Sequence, residues 1–174
     1  PLDANVLAEA IEKTSIPPGV INIVPAEREV SEYLVAHPGV DKVSFTGSVT
    51  AGKKIGAICG AQIKRLTLEL GGKSAAIVLD DADLDVVVPQ LLMAGLMNTG
   101  QACIAQTRIL ASKNRYSEVV EALSAAVSAM KIGDPLQEDT EIGPLFAERH
   151  REQVEKYIQV GRDEGARIVA GGGR

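Results

Sequence analysis

Lys42-Val43-Ser44-Phe45-Thr46-Gly47-Ser48 and Arg65-Leu66-Thr67-Leu68-Glu69-Leu70 are the two stretches that decide how this chain folds. The first is a short strand running into a Thr-Gly-Ser turn. The second alternates polar and apolar residues, as a strand does. Residues 49–59 between them carry apolar side chains at helical spacing, and Gly60 stands where it can cap that helix. A strand, a helix and a strand joined at this length predict a βαβ crossover, and therefore parallel pairing. Ligands of such sheets bind beyond the carboxyl ends of the strands. Thr46-Gly47-Ser48 and Glu69-Leu70-Gly71-Gly72 both lie at such ends.

The pattern extends in both directions. Upstream, Leu2, Val6, Leu7, Ala10 and Ile11 space a helix over residues 2–14, which Pro17-Pro18-Gly19 stops. Val20-Ile21-Asn22-Ile23-Val24 is a nearly continuous apolar run and reads as a buried parallel strand. Residues 26–36 return to helical spacing. Downstream, Gly71-Gly72 is a candidate hinge, followed by a strand over 75–79. Asp80-Asp81-Ala82-Asp83 can cap a helix over 84–97, with metal binding as the alternative use of its carboxylates. A strand over 107–111, helices over 117–130 and 147–164, and the start of a final strand over 167–170 complete the reading. The fold class is α/β throughout, without repeats or low-complexity linkers.

Composition narrows the possible functions. The chain has 174 residues, a net charge of −5 and no tryptophan. Its basic residues are dispersed and its aromatics scarce, which argues against nucleic-acid binding. No apolar run reaches membrane-spanning length, and with no basic stretch followed by an apolar one at its start, no secretory signal is expected. Cys59 and Cys103 are too few for a disulfide framework and suit a reducing cytoplasm. With only His37 and His150 besides, far apart, no metal site is expected. The chain begins abruptly at Pro1 and ends on a glycine run, which reads as an excerpt of a longer protein.

Three places can carry chemistry. Cys103 lies in Gly100-Gln101-Ala102-Cys103, where a glycine-assisted turn can present a thiol beside backbone N–H groups. The alternative is a buried cysteine acting as a small hydrophobe. Glu69 is either a solvent-facing residue of an alternating strand or a partly buried general base. Thr46-Gly47-Ser48 opens a helix, which suits a phosphate, and Ser48 is equally a plain N-cap.

Taken together, Phe45-Thr46-Gly47-Ser48, Leu68-Glu69-Leu70-Gly71-Gly72-Lys73-Ser74 and Gly100-Gln101-Ala102-Cys103 through Arg108 resemble the NAD(P)-dependent aldehyde dehydrogenase superfamily. Ile142-Gly143-Pro144 and Glu164-Gly165-Ala166 with Gly171-Gly172-Gly173 also fit. The resemblance spans essentially the whole chain, and the Glu and Cys motifs 34 residues apart are its most specific part. It implies that residues 1–71 are the C-terminal part of a Rossmann-like nucleotide-binding domain and 72–174 the N-terminal part of a catalytic domain.

The resemblance also implies roles. Cys103 is the nucleophile that forms a thiohemiacetal and then a thioester with an aldehyde. Glu69 activates the hydrolytic water. Phe45, Thr46, Gly47 and Ser48 contact the pyrophosphate side of NAD or NADP, and Leu70 and Gly71 lie near the nicotinamide. Lys73 and Arg108 are structural. A longer parent, a homodimer or homotetramer, would supply the rest of the oxyanion hole and cofactor clamp, so the 174 residues alone are expected to be inactive. The alternatives are a coenzyme A-acylating relative, which commonly lacks the glutamate, and a non-catalytic protein of the same fold. One departure stands out: Pro25-Ala26-Glu27-Arg28-Glu29 lacks the glycine that many members carry after the matching strand.

Overall fold

The computed structural model describes residues 2–173, and the chain divides into two compact units, 1–70 and 71–174. In the first unit, α1 (Leu2–Glu12) and α2 (Arg28–Ala36) precede β1 (Lys42–Gly47), α3 (Val49–Ala61) and β2 (Arg65–Leu70). β1 and β2 pair in parallel, in register from Lys42 with Arg65 to Gly47 with Leu70. α3 is the crossover between them. Leu66, Leu68 and Leu70 are half-buried while Arg65, Thr67 and Glu69 are exposed, which is the period of two that the alternation predicts. Gly52 lets α3 approach β2 closely: a Cβ there would stand 2.6 Å from Leu70 Cδ2.

The end of α2 is tied down from β2's side of the unit. Lys64 Nζ donates to the carbonyls of Val35 and His37, at 2.7 Å each, and Gln62 Nε2 donates to Ala36 at 3.0 Å. These bonds satisfy carbonyls that a helix end leaves open, and an ammonium is favourable at that end of the dipole.

The second unit contains β3 (Ala75–Val78), α4 (Leu84–Leu96), a 3-10 turn (Met97–Gly100), β4 (Arg108–Ala111), α5 (Tyr116–Ala129) and α6 (Glu148–Asp163). β3 and β4 are parallel, from Ala75 with Arg108 to Val78 with Ala111. Its core joins Ala76, Val78, Leu91 and Val119, with Val87, Ile109 and Leu123 packed around them. Each large aliphatic side chain so buried contributes about 1.5–3 kcal/mol. The acidic turn is a cap, since Asp83 accepts from Asp85 N at 3.0 Å. Arg115 locks the same turn by donating to Ala82 O at 3.1 Å, to Asp80 O, and to Glu118. No cluster of metal-ligating side chains occurs among the described residues.

Three local expectations are corrected. Residues 20–24 form no strand, and Val20, Ile21 and Val24 are exposed. An apolar run becomes a strand only where a neighbouring strand satisfies its backbone, and the described residues of this unit pair only β1 with β2. Residues 167–170 are likewise irregular, held instead by Ser124 Oγ donating to Val169 O at 3.3 Å. Gly60 does not cap α3. The helix runs on to Ala61, and the left-handed turn residue is Ile63, with φ of 53°. That conformation costs a β-branched residue about 1–2 kcal/mol.

Candidate active site

In the first unit the strand register assembles one group of residues. Thr46 pairs with Glu69 and Gly47 with Leu70, so both strands end level. The Phe45 ring folds over Gly47: a Cβ on Gly47 would lie 2.5 Å from Phe45 Cζ. A larger residue at 47 would require that ring to shift. Ser48 caps α3, its Oγ accepting from Ala51 N at 3.2 Å. The N–H groups of Val49 and Thr50 head the helix outside its internal ladder and form the positive end of its dipole. Glu69 is exposed at the end of β2, and Leu70 beside it is half-buried.

A groove of about 420 Å³ runs from this strand end between α2 and α3. Phe45, Val35, Ile55 and Ile58 give it an apolar wall, Ser48 stands at its head, Arg28 and Lys54 bring positive charge, and Glu32 brings negative. The sequence reading missed this groove. Its signal was present in the apolar faces of two consecutive amphipathic segments, but nothing in one helix says that the facing helix leaves a gap. The size is that of a small-molecule site. A ligand with an apolar body and an anionic group at the Ser48 end fits this combination of apolar wall and helix terminus.

The second unit holds the cysteine loop. Gly71 opens that unit, with open space around the position a Cβ would take. After α4 the chain passes through three consecutive left-handed residues: Asn98 (φ 53°), Thr99 (φ 59°) and Gly100 (φ 72°). Glycine was legible as a turn signal; the other two were not, and a β-branched threonine is an outlier there. Gln101 N donates to Asn98 O at 3.0 Å, and its side-chain Nε2 donates to the same carbonyl at 3.1 Å. Gln101 Oε1 accepts from Phe146 N at 2.8 Å, and Thr99 Oγ1 donates to Gly143 O at 3.4 Å.

Cys103 follows in an exposed turn closed by Ala105 N donating to Ala102 O at 3.1 Å. Ala105 is buried and anchors the turn, while Gln106 N donates back to Ala94 O on α4 at 3.1 Å. Arg108 then starts β4, with its Nε donating to Lys73 O at 3.0 Å, so these two residues join the ends of the neighbouring strands β3 and β4. Cys59 is the opposite case, 1% exposed on α3. The structure therefore groups residues 45–48 with Glu69 and Leu70, and Cys103 with Gly100, Gln101 and the 143–146 segment. The two groups belong to different units.

This arrangement offers an accessible sulfur on a braced turn, and separately a carboxylate and a helix terminus at a parallel strand end. Comparison with known proteins gives the frame in which both occur. A model of the aldehyde dehydrogenase family matches residues 1–174. Geranial dehydrogenase of Castellaniella defragrans is 54% identical over 99% of the chain, and a betaine aldehyde dehydrogenase of Rhizobium leguminosarum is 44% identical over the same share. The chain spans 36% of the length of each. Among solved structures, a Mycobacterium tuberculosis aldehyde dehydrogenase complexed with NAD+ superposes over the entire chain with a TM-score of 0.98 and 46% identity. A Bacillus cereus aldehyde dehydrogenase in its NAD+ complex gives 0.96 and 38%. Each of these two is matched over 36% of its own length.

Proposed function

The chain belongs to the aldehyde dehydrogenase family, and on that premise we propose that it carries the nucleophile and general base of an NAD(P)-dependent oxidation of an aldehyde to a carboxylate. The observation that carries this reading is the exposed Cys103 on its braced turn, in a chain matched by the family model from end to end. The activity is assigned to the whole protein containing these residues, and the 174 residues alone are expected to turn over no aldehyde.

Cys103 Sγ bonds to the aldehyde carbon, giving a thiohemiacetal. The oxyanion is held in part by the Cys103 backbone N–H. Bound NAD or NADP supplies the acceptor for the hydride that leaves this carbon. Cys103 is then left as a thioester. Glu69 takes a proton from water, the hydroxide adds to the thioester carbon, and the carboxylate leaves as the thiol is restored. Glu69 speaks for hydrolysis over transfer of the acyl group to coenzyme A.

Ser48, Gly47 and the N–H groups heading α3 would hold the cofactor's phosphates, with Thr46 and Phe45 beside them. The groove between α2 and α3 would take the apolar part of its nucleotide. Leu70 and Gly71 would flank the nicotinamide. Residues 1–71 then act as cofactor-binding sequence and 72–174 as catalytic sequence. We place the protein in the cytoplasm, on the support of two unpaired cysteines, and expect a homodimer or homotetramer. No helix among the described residues is long and apolar enough to cross a membrane.

The test is aldehyde-dependent reduction of NAD or NADP by the whole protein and its Cys103→Ala variant. Loss of roughly 10⁴-fold or more in kcat is expected for removing a nucleophile. Normal turnover by Cys103→Ala would sink the assignment.

A further inference from the structure

The three left-handed residues before Cys103 are held from one side chain more than from any other. Gln101 uses both ends of its amide. Nε2 donates to Asn98 O, closing the left-handed segment on itself, and Oε1 accepts from the backbone N–H of Phe146, 45 residues away in sequence. Asn98 Nδ2 returns a bond to Gln101 O at 3.4 Å, and Thr99 Oγ1 reaches Gly143 O. A backbone in a sparsely populated conformation persists only when its surroundings fix it. Here the Gln101 side chain, two residues before the cysteine, ties the segment both to itself and to residue 146.

We infer that Gln101 is a positioning residue, whose side-chain bridge from Asn98 O to Phe146 N fixes the orientation in which Cys103 is presented. The inference rests on the nucleophilic role proposed for Cys103. The bridge has unequal halves. The Phe146 bond is the only one of the two that reaches outside the turn, and with the Thr99–Gly143 bond it ties the loop to the 143–146 segment. The Asn98 bond duplicates one that the Gln101 backbone N–H already makes to the same carbonyl. The apolar isostere Gln101→Met removes both halves. Gln101→Glu keeps an oxygen that can accept from Phe146 N, but sets a second acceptor oxygen against Asn98 O in place of the redundant donor.

The experiment uses the whole protein and combines hydrogen exchange at the Phe146 amide with steady-state kinetics. In Gln101→Met, exchange at Phe146 should accelerate at least tenfold. The kcat should fall about tenfold or more, while KM for NAD stays within twofold. Gln101→Glu should hold exchange within threefold of the parent and recover part of the kcat lost in Gln101→Met. A merely structural role would not produce rescue by a charged side chain together with a pure kcat effect. Unchanged exchange in Gln101→Met would overturn the bridge, and accelerated exchange with unchanged kcat would overturn its positioning role. If the parent itself turned over no aldehyde, the functional reading would fail, and the positioning role tied to it would fall too. The bridge alone would then be judged by exchange at Phe146.

Discussion

Cys59 lies on α3 with 1% of its surface exposed, whereas Cys103 lies in an open turn after α4. Both are free thiols in segments rich in small residues. What separates them is the backbone around them. Cys59 occupies a regular helix beside glycines, and its carbonyl accepts from Lys64 N at 2.9 Å as the chain turns toward β2. Its sulfur packs into the first unit and helps seat the crossover helix. Cys103 follows three left-handed residues and precedes a buried Ala105, so the chain is anchored on both sides while the sulfur stays outside. The contrast teaches that residue type sets the available chemistry and local backbone decides whether it can be used.

The largest expected difference between the two is in reactivity. Iodoacetamide at neutral pH, with peptide mapping, should modify Cys103 at least about 100-fold faster than Cys59, since a thiol must be accessible to react. Equal rates would erase the distinction. A polar substitution should show the reverse sensitivity. Cys59→Ser places a hydroxyl where almost no solvent reaches and should destabilise by about 1–2 kcal/mol in denaturant unfolding. The same change at Cys103 should alter stability by less than about 0.5 kcal/mol, as exposed substitutions do. An effect smaller than that of Cys59→Ser belongs to the other end of the helix that Cys59 seats. Ser48→Ala removes the bond to Ala51 N and should cost about 1 kcal/mol or less. Because it leaves the Val49 and Thr50 N–H groups in place, cofactor affinity should fall by less than tenfold in a titration.

Much of this was legible before any coordinates. The alternation in residues 65–70 gave the correct faces, and the strand–helix–strand order gave parallel pairing. Asp83 and Ser48 cap as their residue types suggest. The run at 20–24 misled because apolar content signals burial potential, while a strand also needs a partner for its backbone. Left-handed Ile63 and Thr99 were illegible for a different reason. Their side chains oppose the conformation, so only the surrounding contacts, not the residues themselves, reveal it. The groove between α2 and α3 depends on how two helices face each other, which neither segment encodes alone. Conversely, the motifs marked Cys103 and Glu69 as chemical candidates more sharply than local geometry does, because each is exposed and each stands in its own unit.

The most direct test of the account is to catch the covalent intermediate. The whole protein carrying Glu69→Gln, mixed with an aldehyde and NAD, should release a burst of NADH and then slow by about 10²-fold or more, as loss of a general base implies. Mass spectrometry of the quenched protein should find the acyl group on the Cys103 peptide and none on Cys59. A burst with no acylated Cys103, or acylation at Cys59, would contradict the assignment.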